Sequence, residues 1–73
     1  MPSVGTLGSI ALSAREREIL QLAAWGCSNR EIGMRLYISS DTVKTHLEHA
    51  CGKLDVAGRT AAVAEALRRG LIT

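Results

Sequence analysis

The chain has 73 residues, of which 47% are apolar, and nine Lys and Arg against seven Asp and Glu give a net charge of +2. A chain of this length has room for one small core, and because it contains one Trp, one Tyr and no Phe, that core must be largely aliphatic. So small a net charge permits a nucleic-acid partner without requiring one.

The composition and the order of the residues exclude several classes of protein. No apolar run approaches the roughly 20 residues of a membrane span, and the first residues lack the basic start and apolar stretch of a signal peptide. Cys27 and Cys51 are too few for a disulfide scaffold and form no C-x-x-C pair. We therefore expect a soluble, cytoplasmic protein that binds no membrane and keeps both thiols reduced.

The chain begins with a lead-in and a first helix. Residues 1–11 combine Gly, Ser and Pro with no charge, which predicts a flexible lead-in or linker stub ahead of one domain over 12–73. Ser13 followed by Glu16 is a capping-box pattern, and an apolar face of helical period comes after it. The pattern predicts helix one at about 14–25.

A second helix and a tight turn follow. Ser28 and Glu31 repeat the capping-box pattern, and apolar residues one turn apart predict helix two at about 29–36. About three residues then separate this helix from the next, which is typical of a helix-turn-helix with a sharp crossing. Gly33 leaves no side chain where helix two must approach its successor.

The third predicted helix, over about 40–54, is amphipathic. Its possible N-caps are Ser39, Ser40 and Asp41. Its inward stripe is Val43, Leu47, Ala50 and Leu54, and its outward residues are Asp41, Lys44, Thr45, Glu48 and Gly52. After a break, the apolar pattern resumes as helix four at about 59–69 and ends at Gly70.

These elements predict an all-α fold, a four-helix bundle that contains a helix-turn-helix. No segment alternates apolar and polar residues as a half-buried strand does. In a helix-turn-helix the second helix enters the major groove of DNA, which is about 12 Å wide. The outward Lys, Thr and Glu side chains of helix three can contact base edges there.

Five segments of the chain resemble those of a known family: LSAREREIL at 12–20, GCSNREIG at 26–33, LYISSDTVKTH at 36–46, KL at 53–54 and RTAAV at 59–63. Together they resemble the LuxR-type (GerE- or NarL-like) DNA-binding domain, over nearly the whole of the predicted domain. The resemblance implies the four-helix effector domain of a bacterial transcription regulator. It also implies that helix three enters double-stranded DNA and that helix four forms a homodimer contact.

The resemblance places DNA-contacting residues on helix three. Lys44 and Thr45 match positions that reach bases or nearby phosphates, and Thr42 and His46 match positions near the sugar-phosphate backbone. Thr42 has a second interpretation, because a threonine near a helix start can hydrogen-bond within its own helix or help the cap. Glu48 departs from the family, in which a polar or basic residue is more usual. It either accepts from a cytosine amino group or repels phosphate.

Helices two and four add further candidates. Asn29 and Arg30 match positions that touch phosphate, and equally well form a solvated helix start. Arg59 is predicted to form a structural bridge with Glu31 or Asp55 rather than a DNA contact. The outer side of helix four is predicted to carry Ala61, Ala64, Glu65 and Arg68. Small residues there let a two-fold partner helix approach, so we expect a homodimer that forms most readily on DNA.

A protein-interaction adaptor is the alternative function. A bundle of this shape can contact RNA polymerase or another regulator, and the low net charge, Glu48 and Gly52 favour that alternative. RNA polymerase is also a candidate partner of the DNA-binding domain.

No metal, cofactor or reaction is expected. His46, His49 and Cys51 lie close together in the sequence, but a structural zinc site almost always has four protein ligands and a fourth is lacking. The sequence contains no recognisable activated nucleophile and no glycine-rich phosphate loop.

Overall fold

The computed structural model describes residues 11–73, and within that range the chain forms four helices and no strand. The helices are α1 (Ala14–Ala24), α2 (Asn29–Leu36), α3 (Ser40–Leu54) and α4 (Arg59–Arg68). Each lies within one residue of its predicted bounds, so the all-α prediction is confirmed. The predicted lead-in falls outside the described residues except for Ala11. None of the four helices is long and apolar enough to cross a membrane.

Hydrogen-bonded serines begin the first three helices. Ser13 Oγ accepts from the Glu16 amide at 3.0 Å, and Glu16 Oε1 accepts from the Ser13 amide at 2.9 Å. Ser28 and Glu31 form the same reciprocal pair at 3.1 and 2.8 Å. Ser39 is the cap of α3 among its three candidates, because its Oγ accepts an amide of the first turn at 3.0 Å.

The core is aliphatic, as the composition requires. Its buried residues are Leu12, Ile19, Leu20, Ile32, Val43, Leu47, Ala50, Leu54, Ala62, Ala66 and Ile72. Both aromatic side chains lie outside it, because Trp25 is 66% exposed and Tyr37 is 94% exposed. The whole predicted stripe of α3 is buried in this core, so the opposite face of α3 points outward.

The turn between α2 and α3 depends on Gly33. A Cβ at this position would lie 2.5 Å from the backbone oxygen of Ile38, much closer than two such atoms can approach. The Ile38 amide also donates to the Gly33 carbonyl at 3.0 Å, which holds the turn against α2. Tyr37 ends α2 in the left-handed conformation, with a φ of 60°, which is uncommon for a bulky residue. The predicted role of Gly33 in the close approach of the two helices is confirmed.

A buried ion pair joins the start of α1 to the end of α3. Lys53 Nζ donates to Glu16 Oε1 at 2.8 Å, and the Glu16 side chain is only 5% exposed. Burial opposes ionisation of this carboxyl, but hydrogen bonds from Lys53 and from Ser13 outweigh it and lower the pKa of Glu16. The folded state therefore stabilises the ionised form of the Glu16 carboxyl.

A second charged cluster joins the end of α4 to the end of α3. Glu65 accepts from Arg68, and it also accepts from Arg69 at 2.6 Å. Arg69 in turn donates to the Leu54 carbonyl at 3.3 Å. The hydrogen bonds from Arg68 and then from Arg69 lower the pKa of Glu65 to about 2.

We expect these carboxylates to make the fold sensitive to acid. The ordinary pKa of a glutamate is 4.5, and in the folded state the pKa values of Glu16 and Glu65 are lower. As the pH falls below 4.5, the unfolded chain therefore binds more protons than the folded chain does. The stabilisation of the fold by these carboxylates is complete above pH 4.5. For Glu65 it is lost as the pH falls toward the folded-state pKa of about 2. The melting temperature should fall across this window, and Glu65→Gln should make the fall shallower. An equally steep fall in the Gln variant would show that Glu65 contributes nothing to it.

Candidate nucleic-acid interface

The outward face of α3 is polar and open. The residues Asp41, Thr42, Lys44, Thr45, Glu48 and Gly52 are exposed on it, whereas His46 is half-buried at its margin. The buried stripe on the other side fixes this orientation, because α3 cannot rotate without exposing its apolar side chains to water. All the outward residues predicted for helix three are therefore exposed as expected.

Lys44 carries a positive charge on this face that nothing neutralises within residues 11–73. It is exposed and takes part in none of the ion pairs of that range. Glu48 lies one helical turn further on, a spacing at which Lys and Glu often pair, but the pair is not formed here. The ammonium of Lys44 is therefore available to an outside acceptor such as a phosphate or a guanine edge.

The two threonines of the face use their hydroxyl groups differently. Thr42 donates its amide to Ser39 Oγ at 3.0 Å, and the two side-chain oxygens are 2.9 Å apart. Thr42 thus helps the cap, one of its two predicted roles. Thr45 donates its hydroxyl hydrogen to the Asp41 carbonyl at 3.1 Å, so toward DNA its oxygen can only accept and its methyl group can contact an apolar surface.

The start of α2 leaves two backbone donors available. A helix has unpaired amides in its first turn, and the capping box of α2 uses the amides of Ser28 and Glu31. The amides of Asn29 and Arg30 are the remaining ones. The Arg30 side chain is exposed and that of Asn29 is half-buried. Oriented amides at a helix start favour a phosphate.

Residues of α2, α3 and α4 line one groove of about 470 Å³ on this side of the molecule. Its lining includes Asn29 from α2, Lys44 and Glu48 from α3, and Arg59 from α4. Three of the predicted DNA-contacting residues thus share one surface. The groove lining does not include the other four, which are Arg30, Thr42, Thr45 and His46.

Arg59 is a structural bridge as predicted, but its predicted partners are wrong. It donates to the side-chain oxygen of Asn29 and to the backbone carbonyl of Cys27, and not to Glu31 or Asp55. The reason is that the long Arg59 side chain reaches from the start of α4 to the start of α2, where it meets these two neutral oxygens. No local pattern could have shown this contact, since 30 residues separate Arg59 from Asn29.

The predicted dimer residues lie on α4 with unequal exposure. Ala64 and Arg68 are exposed, whereas Ala61 and Glu65 are half-buried. Glu65 is engaged within its own chain by Arg68 and Arg69. The sequence reasoning missed Leu67, which is 46% exposed beside these residues and adds an apolar side chain to the outer face of α4.

The cysteine and histidine side chains do not converge on a common point. Within the described range no three His, Cys, Asp or Glu residues form a group that could hold a metal ion. Cys27 and Cys51 are free thiols, and Cys51 donates to the Gly58 carbonyl at 3.5 Å. The arrangement provides hydrogen-bond donors and a cationic side chain on an open face, which suits recognition of an anionic polymer.

Comparison with known proteins matches the chain to one family over residues 10–66, described as bacterial regulatory proteins, luxR family. The chain is 51% identical over 61 residues to the probable transcriptional regulatory protein NarL of Mycobacterium tuberculosis (strain ATCC 25618 / H37Rv), covering 84% of this chain and 28% of that protein. It is 57% identical over 61 residues to the HTH-type quorum sensing-dependent transcriptional regulator RpaR of Rhodopseudomonas palustris, covering 84% of this chain and 25% of that protein. The chain thus spans less than a third of the length of these relatives.

Two solved structures share the fold. The transcription factor GerE matches with a TM-score of 0.81 at 42% identity, covering 85% of this chain and 92% of that chain. The response regulator ChrA of a heme-sensing two-component system matches with a TM-score of 0.81 at 55% identity, covering 85% of this chain and 31% of that chain. The four helices therefore have the arrangement found in both proteins.

Proposed function

Because this chain belongs to the luxR family of bacterial regulatory proteins, we propose that it binds double-stranded DNA as the sequence-specific effector domain of a transcription regulator, with α3 in the major groove. The observation that carries the proposal is the open polar face of α3, on which Lys44 is exposed with no ion-pair partner among residues 11–73. The major groove of DNA is wide enough to admit the exposed second helix of a helix-turn-helix.

Each residue of the interface has a proposed role that follows from its chemistry. Lys44 binds a phosphate or a guanine edge, and Thr45 meets a thymine methyl group with its own methyl. Thr42 and His46 lie against the sugar-phosphate backbone. Asn29 and Arg30 clamp a phosphate at the start of α2, where two amides are available beside their side chains.

A homodimer is proposed to assemble on DNA through α4. The outer face carries Ala61, Ala64, Glu65, Leu67 and Arg68, and the small alanine side chains let a second helix come close. Two half-sites one helical turn apart suit a two-fold dimer. Sedimentation velocity with and without such a duplex tests this: two chains per duplex support the dimer, and one chain per duplex refutes it.

The remaining proposals follow from the DNA partner. The protein acts in the bacterial cytoplasm, associated with the nucleoid when bound, without a cofactor and without catalysing a reaction.

RNA polymerase is a further proposed partner. Met34 and Tyr37 on the α2 side are 68% and 94% exposed, and they offer an apolar surface for such a contact.

A salt titration of duplex binding tests the proposed function. Each neutralised phosphate should contribute about −0.9 to the slope of log affinity against log salt concentration. We expect a clearly negative slope with duplexes of any sequence and a stronger affinity for a selected operator. An adaptor that contacts only proteins should bind no duplex at low salt, and this result would replace the DNA proposal with the alternative.

Glu48→Ala distinguishes the two interpretations of Glu48. If Glu48 accepts from a cytosine amino group, the alanine variant should lose discrimination at one base pair, worth about 1 to 3 kcal/mol. If it repels phosphate instead, the variant should bind every duplex more tightly by a similar factor. We expect the first result, measured as affinities for an operator and for its single-base variants. A uniform gain would establish repulsion.

A further inference from the structure

Arg59 bonds to two neutral oxygens at the start of α2. Its guanidinium donates to the side-chain oxygen of Asn29 and to the Cys27 carbonyl. It takes part in none of the ion pairs formed within residues 11–73. Its positive charge therefore remains on the groove that Lys44 and Glu48 also line.

The contact fixes how the Asn29 amide is turned. A guanidinium has only donors, so Asn29 must present its oxygen to Arg59. The two N–H groups on Nδ2 of Asn29 are then left for an acceptor other than Arg59. The backbone amide of Asn29 is also one of the two unpaired amides at the start of α2. Asn29 therefore has both side-chain and backbone donors available at this place.

We infer that Arg59 is a positioning residue of the DNA interface. Its side chain ties the start of α2 to the start of α4 and turns the Nδ2 group of Asn29 toward a DNA phosphate. The inference rests on the proposed function and assigns Arg59 no contact with DNA of its own. One planar guanidinium bonds both acceptors at once, whereas a lysine ammonium is a point charge on a flexible stem and cannot reproduce that fork.

Arg59→Lys separates positioning from charge, because the variant keeps the positive charge and loses the fork. Duplex affinity should be measured by fluorescence anisotropy at several salt concentrations. We expect binding to weaken about ten-fold, the size of one charge-assisted hydrogen bond, with an unchanged salt slope. Arg15→Lys on α1 is the matched control, because Arg15 also donates to an oxygen, that of Glu18 at 3.2 Å, but does not line the groove. Its affinity should be unchanged.

A double-mutant cycle shows whether Arg59 acts through Asn29. Asn29→Ala should weaken binding by about the same factor as Arg59→Lys, and the double variant should be no weaker than either alone, because both changes remove one interaction. Asn29→Asp keeps the acceptor for Arg59 and loses the N–H donors. It should therefore keep the melting temperature of the parent chain and still lose affinity.

Four results would overturn the inference. The first is an Arg59→Lys variant with parental affinity, even if its melting temperature falls, because that result makes Arg59 purely structural. The second is full additivity of the two changes, and the third is parental affinity of Asn29→Asp. The fourth is an Arg59→Ala variant whose salt slope is smaller by about 0.9, which assigns Arg59 a direct phosphate contact. By contrast, the absence of duplex binding by the parent chain at low salt would contradict the proposed function itself.

Discussion

Gly33→Ala is expected to destabilise the fold, although alanine is the better helix former. The new Cβ would lie 2.5 Å from the Ile38 carbonyl oxygen, and because that atom is backbone, the turn and α3 must move to relieve the clash. Overpacking costs about 1 to 3 kcal/mol, and a contact of 2.5 Å with a backbone atom belongs at the upper end of that range. The cost therefore exceeds the gain of about 1 kcal/mol in helix propensity. The melting temperature should fall by about 4 °C or more, the shift that 1 kcal/mol produces in a domain of this size.

Gly52→Ala is the matched control for Gly33→Ala. Gly52 also lies within a helix, but a Cβ there meets nothing within 4 Å. The same chemical change should therefore stabilise the chain by up to about 1 kcal/mol. Thermal unfolding followed by circular dichroism compares the two variants. If Gly33→Ala stabilised the chain as much as Gly52→Ala, the turn between α2 and α3 would not be as tight as described.

Lys44→Ala is expected to produce the largest loss of DNA affinity from a single exposed side chain. Lys44 forms no ion pair with any residue of 11–73, so truncation should leave the free energy of unfolding within about 0.5 kcal/mol of the parent value. Binding should weaken about ten-fold or more, because a charge-assisted hydrogen bond is lost. If Lys44 binds a phosphate, the loss should be similar for all duplexes and the salt slope should become shallower by about 1.

Arg17→Ala controls for the general effect of removing one positive charge. Arg17 is exposed on α1 and does not line the groove. Its truncation changes the net charge by the same amount and should leave the salt slope unchanged. An unchanged slope in Lys44→Ala would remove Lys44 from the phosphate interface. An equal change in both variants would mean that net charge, and not the face of α3, determines binding.

The sequence predicted those features of the fold that depend on neighbouring residues. The capping boxes at Ser13 and Ser28 are patterns of four residues, and both form as expected. The period of the apolar residues gave the buried stripe of α3 and hence its open face. Gly33 was also predictable, since a short turn between crossing helices requires close backbone approach.

The contacts between distant residues could not be predicted in the same way. Lys53 and Glu16 are 37 residues apart, and their pairing follows from the way α1 packs against α3. The partners of Arg59 were predicted wrongly because a long guanidinium can reach several oxygens, and only the packed helices decide which. The rotation of α4 is also set by packing, which half-buries Ala61 and exposes Leu67.

The family resemblance narrowed the choice of candidate site residues more than the chemistry of the outward side chains of α3 did. Lys, Thr and Glu on an outward helix face are common on any soluble helix, so their chemistry alone permits DNA binding without requiring it. The structure adds that Asn29, Lys44, Glu48 and Arg59 share one groove.

Heteronuclear NMR of the labelled chain, titrated with a duplex at low salt, tests the central claim most directly. The backbone amide signals of residues 41–48 and of Asn29 and Arg30 should shift most, and those of the α1 residues facing away from the groove should shift least. The operator need not be known, since phosphate contacts form with any sequence. Unshifted signals over 41–48, with any duplex and with almost no salt, would contradict the placement of α3 in the major groove.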